Sequence, residues 1–319
     1  MAEPRSQRSF NLFAYVRIAR PDHWFKNVFM LPGVVFAVYD QPELMNWDIL
    51  PLLMIGLLSA CLVASGNYTL NEILDASKDA VHPVKRSRPV PSGEVVIPIA
   101  YLQWLSLGFL GLLIAWFVNP SFFICSLIFW IMGVLYNAPP IRLKDTPYID
   151  VLSESINNPI RLMLGWFTVN EIHLPTLSLV LAYWMIGAFF MAVKRYAEYK
   201  KLHPDRAARY RKSFAHYDEY RLIASIIYYA AAFSLFFGIF MVRYRLELIL
   251  SVPLIAGFVS LYMKLGFLDD SPVQYPEHLY KQKRFVIYTT LCLITVLTLL
   301  FIDIPLLHQL FRPRHMPGS

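Results

Sequence analysis

Long apolar runs alternate along the chain with short, charge-rich connections. A membrane-crossing helix needs about 20 mostly apolar residues, within a range of about 17–25. By that measure the pattern predicts nine spans, near 26–40, 48–70, 96–117, 121–139, 150–170, 175–194, 222–242, 247–267 and 285–307. The first is short and holds Pro32, which predicts a kink or a partly interfacial segment. The fold class expected is all-α, a polytopic membrane protein. Residues 1–25 read as a polar, basic segment with no short apolar stretch before an Ala-x-Ala-like site, so no cleavable leader is expected there. Residues 26–309 read as one transmembrane domain with polar loops at 71–95 and 194–221, and residues 310–319 as a C-terminal tail.

Composition agrees. Hydrophobic residues make up 57% of the 319 and charged residues 16%, with a mean hydropathy of +0.46. Ordinary soluble domains carry about 25% charged residues. A disordered chain and a nucleic-acid partner are thereby excluded. The net charge of +7 is unevenly placed: 24 of the 29 Lys and Arg fall on the side of the N-terminus, four on the other, and Arg161 inside a span. Basic loops stay in the cytoplasm. A multi-pass protein of the cell membrane is expected, with its N-terminus and its long polar loops cytoplasmic, and any chemistry with them. Cys61, Cys125 and Cys292 all fall in apolar stretches, which argues against a disulfide framework and a zinc site.

The loop after the second span opens Asn71-Glu72-Ile73-Leu74-Asp75-Ala76-Ser77-Lys78-Asp79 and continues His82-Pro83-Val84-Lys85-Arg86-Ser87-Arg88-Pro89. If the span continues as helix, Asn71, Asp75 and Asp79 fall at i, i+4 and i+8, with Glu72 on the same side. Like charges at that spacing repel, and more so at a membrane boundary. Mg²⁺ would compensate them, because it takes a few carboxylates and completes its octahedron with water and phosphate oxygens. Lys85, Arg86 and Arg88 follow within one loop and suit phosphate. The set looks like a Mg²⁺–diphosphate site. His82 and His216 are poor ligands for so hard a cation. No Gly-rich nucleotide-binding signature is present.

The string N-E-x-x-D-x-x-x-D followed by H-P-x-K-R-x-R-P resembles the N-D-x-x-D-x-x-x-D signature of UbiA-type intramembrane prenyltransferases. The resemblance implies a UbiA-type helical bundle of nine spans, a cytoplasmic-side active site, and Mg²⁺ held on a substrate diphosphate by Asn71, Glu72, Asp75 and Asp79. Glu72 departs from the usual aspartate but keeps a carboxylate. Further on, Tyr136, Lys144 and Asp150 resemble a second recurring element of that family. Asp150 and Glu154 lie i, i+4, and Asn157, Asn158 and Arg161 continue the stripe into the fifth span. Arg161 reads either as a functional cation or as structural glue.

Where the family carries a second aspartate motif after its sixth span, this chain reads Lys194-Arg195-Tyr196-Ala197-Glu198. That string, with Arg20-Pro21-Asp22-His23-Trp24-Phe25-Lys26-Asn27, resembles one branch, the decaprenyl-phosphate phosphoribosyltransferases. The resemblance implies transfer of 5-phosphoribose from phosphoribosyl diphosphate to a polyprenyl phosphate, for cell-wall arabinan or related glycolipid precursors. In that reading Asp75, Asp79, Lys85, Arg88 and Asp150 carry the chemistry. Lys85, Arg86 and Arg88 neutralise the leaving diphosphate, and Lys194 and Arg195, beside Glu198, take the ribose 5-phosphate. Lys26 and Lys144 position the lipid phosphate. Asn27, Asn71, Tyr136, Asn158 and Arg161 line the substrate site. Asp150 orients a ribose hydroxyl or supports an oxocarbenium-like centre. The bilayer is the standing partner, and an oligomer is compatible with the sequence. Prenyl transfer from a prenyl diphosphate to an aromatic or other acceptor is the alternative. The stretch 200–221 reads as an amphipathic interfacial helix or as a loop.

Overall fold

The computed structural model describes residues 11–81, 85–201, 212–274 and 276–311. Residues 1–10 and 312–319, the His82-Pro83-Val84 stretch, and residues 202–211 with Arg206, Arg209 and Arg211 lie outside the described residues. Among the described residues every regular element is helical. The chain forms two compact units. The first holds the described residues of Met1–Pro175 and Pro204–Tyr217, the second those of Thr176–His203 and Asp218–Ser319.

In the first unit α1 (Leu12–Ala19) is followed by a 3₁₀ segment, Pro21–Met30, and α2 (Leu31–Asp40). Then come α3 (Ile49–Asp79), α4 (Ile97–Val118), α5 (Pro120–Asn137), α6 (Ile149–Ser155) and α7 (Asn157–Phe167). At 1.5 Å per residue the 31 residues of α3 extend about 46 Å, against about 30 Å of hydrocarbon. Its polar C-terminal turns, from Asn71 onward, therefore project beyond the apolar layer. Asn119 alone links α4 to α5, and its Oδ1 accepts the Phe122 N–H at 2.7 Å to cap α5.

The expected spans at 26–40 and 150–170 are each broken in two. Pro32 sits at the first turn of α2, where its fixed φ starts a new helix rather than continuing the old one. Pro159 has no N–H to offer the Ser155 carbonyl, so the ladder lapses between α6 and α7. The broken pieces cross closely. A Cβ on Gly33 would lie 1.9 Å from the Leu162 carbonyl oxygen, and one on Gly165 would lie 1.8 Å from that of Met30. Small residues at such crossings let backbones approach in a membrane. Around them Met30, Val63, Phe122, Phe129, Ile160, Leu164 and Trp166 form the apolar core.

In the second unit α8 (Leu177–Lys201) packs along α9 (Glu219–Tyr244), which Asp218 caps. A 3₁₀ turn, Leu246–Ser251, leads into α10 (Val252–Gly266), and α11 (Lys283–Phe301) and α12 (Pro305–Leu310) complete the unit. Rings of Phe190, Phe258, Tyr262 and Phe285 interlock where α8, α10 and α11 meet. Seven helical stretches among the described residues are long and apolar enough to cross a membrane: α3, α4, α5, α8, α9, Leu246–Gly266 and α11.

Candidate active site

The projecting end of α3 carries Asp75, Lys78 and Asp79 on successive turns. The connection from α5 to α6 faces it with Arg142, Lys144 and Asp145, and these six side chains with Lys85 line one cleft. Asp75 is the hub. Its Oδ1 accepts from Arg142 Nη2 at 2.6 Å, and its Oδ2 from Lys144 Nζ at 2.7 Å and Asn71 Nδ2 at 3.2 Å. Asn137 Oδ1 accepts from both Asn71 Nδ2 (2.6 Å) and Lys144 Nζ (2.7 Å). Lys144 is only 5% exposed. Asp79 accepts from Arg88 Nη1 at 2.6 Å. Asp145 pairs with Lys78 and with Arg142 Nε.

Arg142 holds φ at 37°, a conformation costing a non-glycine residue about 1–3 kcal/mol. Its hydrogen bonds to Asp75, Asp145 and the carbonyls of Leu74 and Asn137 offset that cost. The result is three carboxylates interleaved with five cations around an open cleft. A hard cation suits this donor set, since all the acidic ligands are oxygens. Among the described residues no group of three or more His, Cys, Asp or Glu closes into a metal cage. Mg²⁺ needs none, because it is held by one or two carboxylates, with waters and phosphate oxygens supplying the rest. The residues present therefore fit the ion to that extent, with Asp75 and Asp79, one turn apart on α3, as the one or two carboxylates that would hold it.

Other expected residues stand elsewhere. Glu72 does not line the cleft. One residue of helix turns it about 100° from Asn71, and its Oε1 accepts the Val90 N–H at 3.1 Å with 1% of the residue exposed. Asp150 is also turned away. Its fully buried carboxylate accepts from Ser213 Oγ at 3.1 Å and Tyr217 Oη at 2.7 Å. Arg86 is exposed. Lys26 lies over the ring of Tyr68, a residue two turns before Asp75 on α3, and is not among the residues that line the cleft. Asn27 and Arg161 meet directly, Nε to Oδ1 at 2.9 Å, and Arg161 also covers the Phe129 ring. Tyr136 donates to Glu154 at 2.9 Å, and Asn158 is half-buried on α7. Lys194, Arg195 and Glu198 lie on α8, in the second unit. There Arg195 is 1% exposed and pairs with Glu198 at 2.9 Å.

Sequence reasoning missed Asn137, Arg142, Asp145 and Lys78 as members of the cluster around Asp75. The i, i+3 spacing of Arg142 and Asp145 was the available signal for that pair. Arg20 stands in a field of mixed charge from Glu72, Asp22 and Arg88. Burial, and then the like charge of Arg88, push its guanidinium pKa down from its ordinary value.

A family model described as the UbiA prenyltransferase family matches residues 28–289. A decaprenyl-phosphate phosphoribosyltransferase of Mycolicibacterium smegmatis is 28% identical over 68% of this chain and 66% of its own length. A protoheme IX farnesyltransferase of Shewanella denitrificans is 30% identical over 47% of this chain and 51% of its own. The chain thus spans less than two thirds of either relative. A solved UbiA homolog from Archaeoglobus fulgidus, bound to GPP and Mg²⁺, superposes with a TM-score of 0.67 at 22% identity. That superposition covers 91% of this chain and 100% of the other.

Proposed function

As this chain belongs to the UbiA prenyltransferase family, we propose that it transfers 5-phosphoribose from phosphoribosyl diphosphate to a polyprenyl phosphate with Mg²⁺. The observation that carries the proposal is the cleft in which Asp75, Asp79 and Asp145 alternate with Lys78, Lys85, Arg88, Arg142 and Lys144. Acids alone would suit a metal, and bases alone a phosphate. Their alternation suits a metal-bound diphosphate.

A phosphate oxygen of the lipid attacks the anomeric carbon of the ribose. The bond from that carbon to the diphosphate oxygen breaks, and its electron pair leaves with the diphosphate. Phosphate monoesters have a second pKa near 6, so the nucleophile is already largely anionic at neutral pH and needs no strong general base. Asp75 and Asp79 would hold the Mg²⁺, which when bound would supply positive charge to the leaving diphosphate. Lys85 and Arg88 add fixed positive charge where negative charge develops, and so favour the transition state over the bound substrate. Lys144 and Arg142 hold Asp75 in place and face the same charge. Lys26 and Arg161, with Asn27, serve the lipid phosphate. We also assign the broken pairs at Pro21–Asp40 and Ile149–Phe167 as membrane crossings that raise the seven to nine. The excess of Lys and Arg in the loops on the N-terminal side supports a cleft on the cytoplasmic face of a cell membrane.

The second reading, prenyl transfer to an aromatic or other acceptor, has the farnesyltransferase relative in its favour. One experiment separates the two. Purified protein in detergent receives Mg²⁺, a polyprenyl phosphate and phosphoribosyl diphosphate labelled in the ribose. Label entering the organic phase, and lost in Asp75→Ala, supports phosphoribosyl transfer. Absence of transfer, with consumption of a prenyl diphosphate and an aromatic acceptor, supports the second.

A further inference from the structure

Asp150 is fully buried, yet it is not among the residues that line the cleft. Its carboxylate is spent on a loop more than 60 residues away. Ser213 Oγ donates to Oδ2 at 3.1 Å and Tyr217 Oη donates to Oδ1 at 2.7 Å. Tyr217 Oη in turn accepts the backbone N–H of Tyr148 at 2.6 Å, and the two rings meet edge to face at 5.4 Å. Tyr148 is one of three non-glycine residues at positive φ among the described residues, at 63°. Backbone in that region persists only where its surroundings over-determine it. The held turn, Lys212–Ala215, packs against a second turn, Leu143–Asp145. That second turn presents Lys144 to Asp75 and Asp145 to Lys78. The chain of contacts therefore runs from Asp150, through Ser213 and Tyr217, to the wall of the cleft opposite α3.

We propose that Asp150 is a positioning residue that, by clasping Ser213 and Tyr217, fixes the Leu143–Asp145 turn and so sets Lys144 and Asp145 in the cleft. The proposal rests on the reading of that cleft as the transfer site. An unclamped Tyr148 relaxes to negative φ and carries the α6 start with it, and the turn before it follows. A merely stabilising buried carboxylate would lower the melting temperature without disturbing Lys144.

The test reads Lys144 itself. Full-length protein in detergent, without substrate, is pulsed with an amine-acetylating reagent, and acetylation at Lys144 is followed by mass spectrometry against the exposed Lys200. Tyr217→Phe, which removes one hydroxyl, and Asp150→Asn are compared with the parent. Ser213→Ala is the milder third variant, in case Asp150→Asn does not fold. Loss of one buried hydrogen bond is expected to raise Lys144 labelling about tenfold, with Lys200 unchanged. Unchanged Lys144 labelling in folded Tyr217→Phe and Ser213→Ala overturns the proposal. So does a rise at Lys144 matched by an equal rise at Lys200, which would report general loosening. The labelling needs no substrate, so its result is separate from the transfer assay. An enzyme active only with prenyl diphosphates would overturn the phosphoribosyl reading and leave the clasp standing.

Discussion

Two clusters of buried charge can be set side by side. In the first unit, three carboxylates and five cations surround a cleft at the projecting end of α3. In the second, a single carboxylate, Glu247, sits at 0% exposure at the start of the Leu246–Ser251 turn. Its Oε1 accepts the Ile304 N–H at 3.1 Å and lies 2.9 Å from His308 Nε2, while Arg245 pairs with its Oε2 and reaches Asp303. The second cluster ties α12 to the turn around a wholly buried Glu247, and only its outer partners, Asp303 and His308, reach solvent. The first holds more charge than any tie requires and keeps an open side. Desolvating charge costs several kcal/mol per ion, so a fold concentrates it beyond need only where a ligand repays the cost. The comparison teaches that openness and surplus charge distinguish a site from a knot, and that burial alone does not.

Asp75→Asn gives the sharpest contrast. It keeps the shape of the hub and removes the charge, and transfer per folded molecule is expected to fall about 10²–10³-fold. A variant that transfers normally would break the comparison. The converse is Glu247→Ala. Losing one partner of a buried charged cluster costs about 3–5 kcal/mol of stability. A melt in detergent should show the loss, while activity per folded molecule stays at the parent value. Arg88→Gln removes the charged donor at 2.6 Å from Asp79 and should lower transfer about ten- to a hundredfold. Raised Mg²⁺ should not restore it, because the missing charge acts on the leaving group. Chelation of Mg²⁺ should stop transfer in the parent and leave the Glu247 tie, measured by melting, unaffected. The smallest effect belongs to a third kind of pair. Lys200 lowers the Asp269 carboxyl pKa through a hydrogen bond and its charge, but the aspartate is exposed. Exposed pairs contribute little, so Asp269→Asn should change neither transfer nor melting.

The sequence by itself determined the all-helical class and seven of the spans, because a stretch of about 20 apolar residues has no soluble alternative. It also determined that acids and bases would gather at the end of α3. The i, i+4 geometry places Asn71, Asp75 and Asp79 together before any tertiary contact forms. Proline punctuation held the signal that two spans would break, but only the packed structure placed the breaks, at Leu31 and Ile156. Only tertiary structure could bring Arg142, Lys144 and Asp145 to Asp75, since some 70 residues separate them along the chain. It also turned Glu72 to the Val90 amide and set Asp150 against Ser213 and Tyr217. Carboxylates look alike in a sequence. Which way each one points is decided by the nearest donor the fold supplies, and an unpaired buried carboxylate is too costly for that choice to be left open.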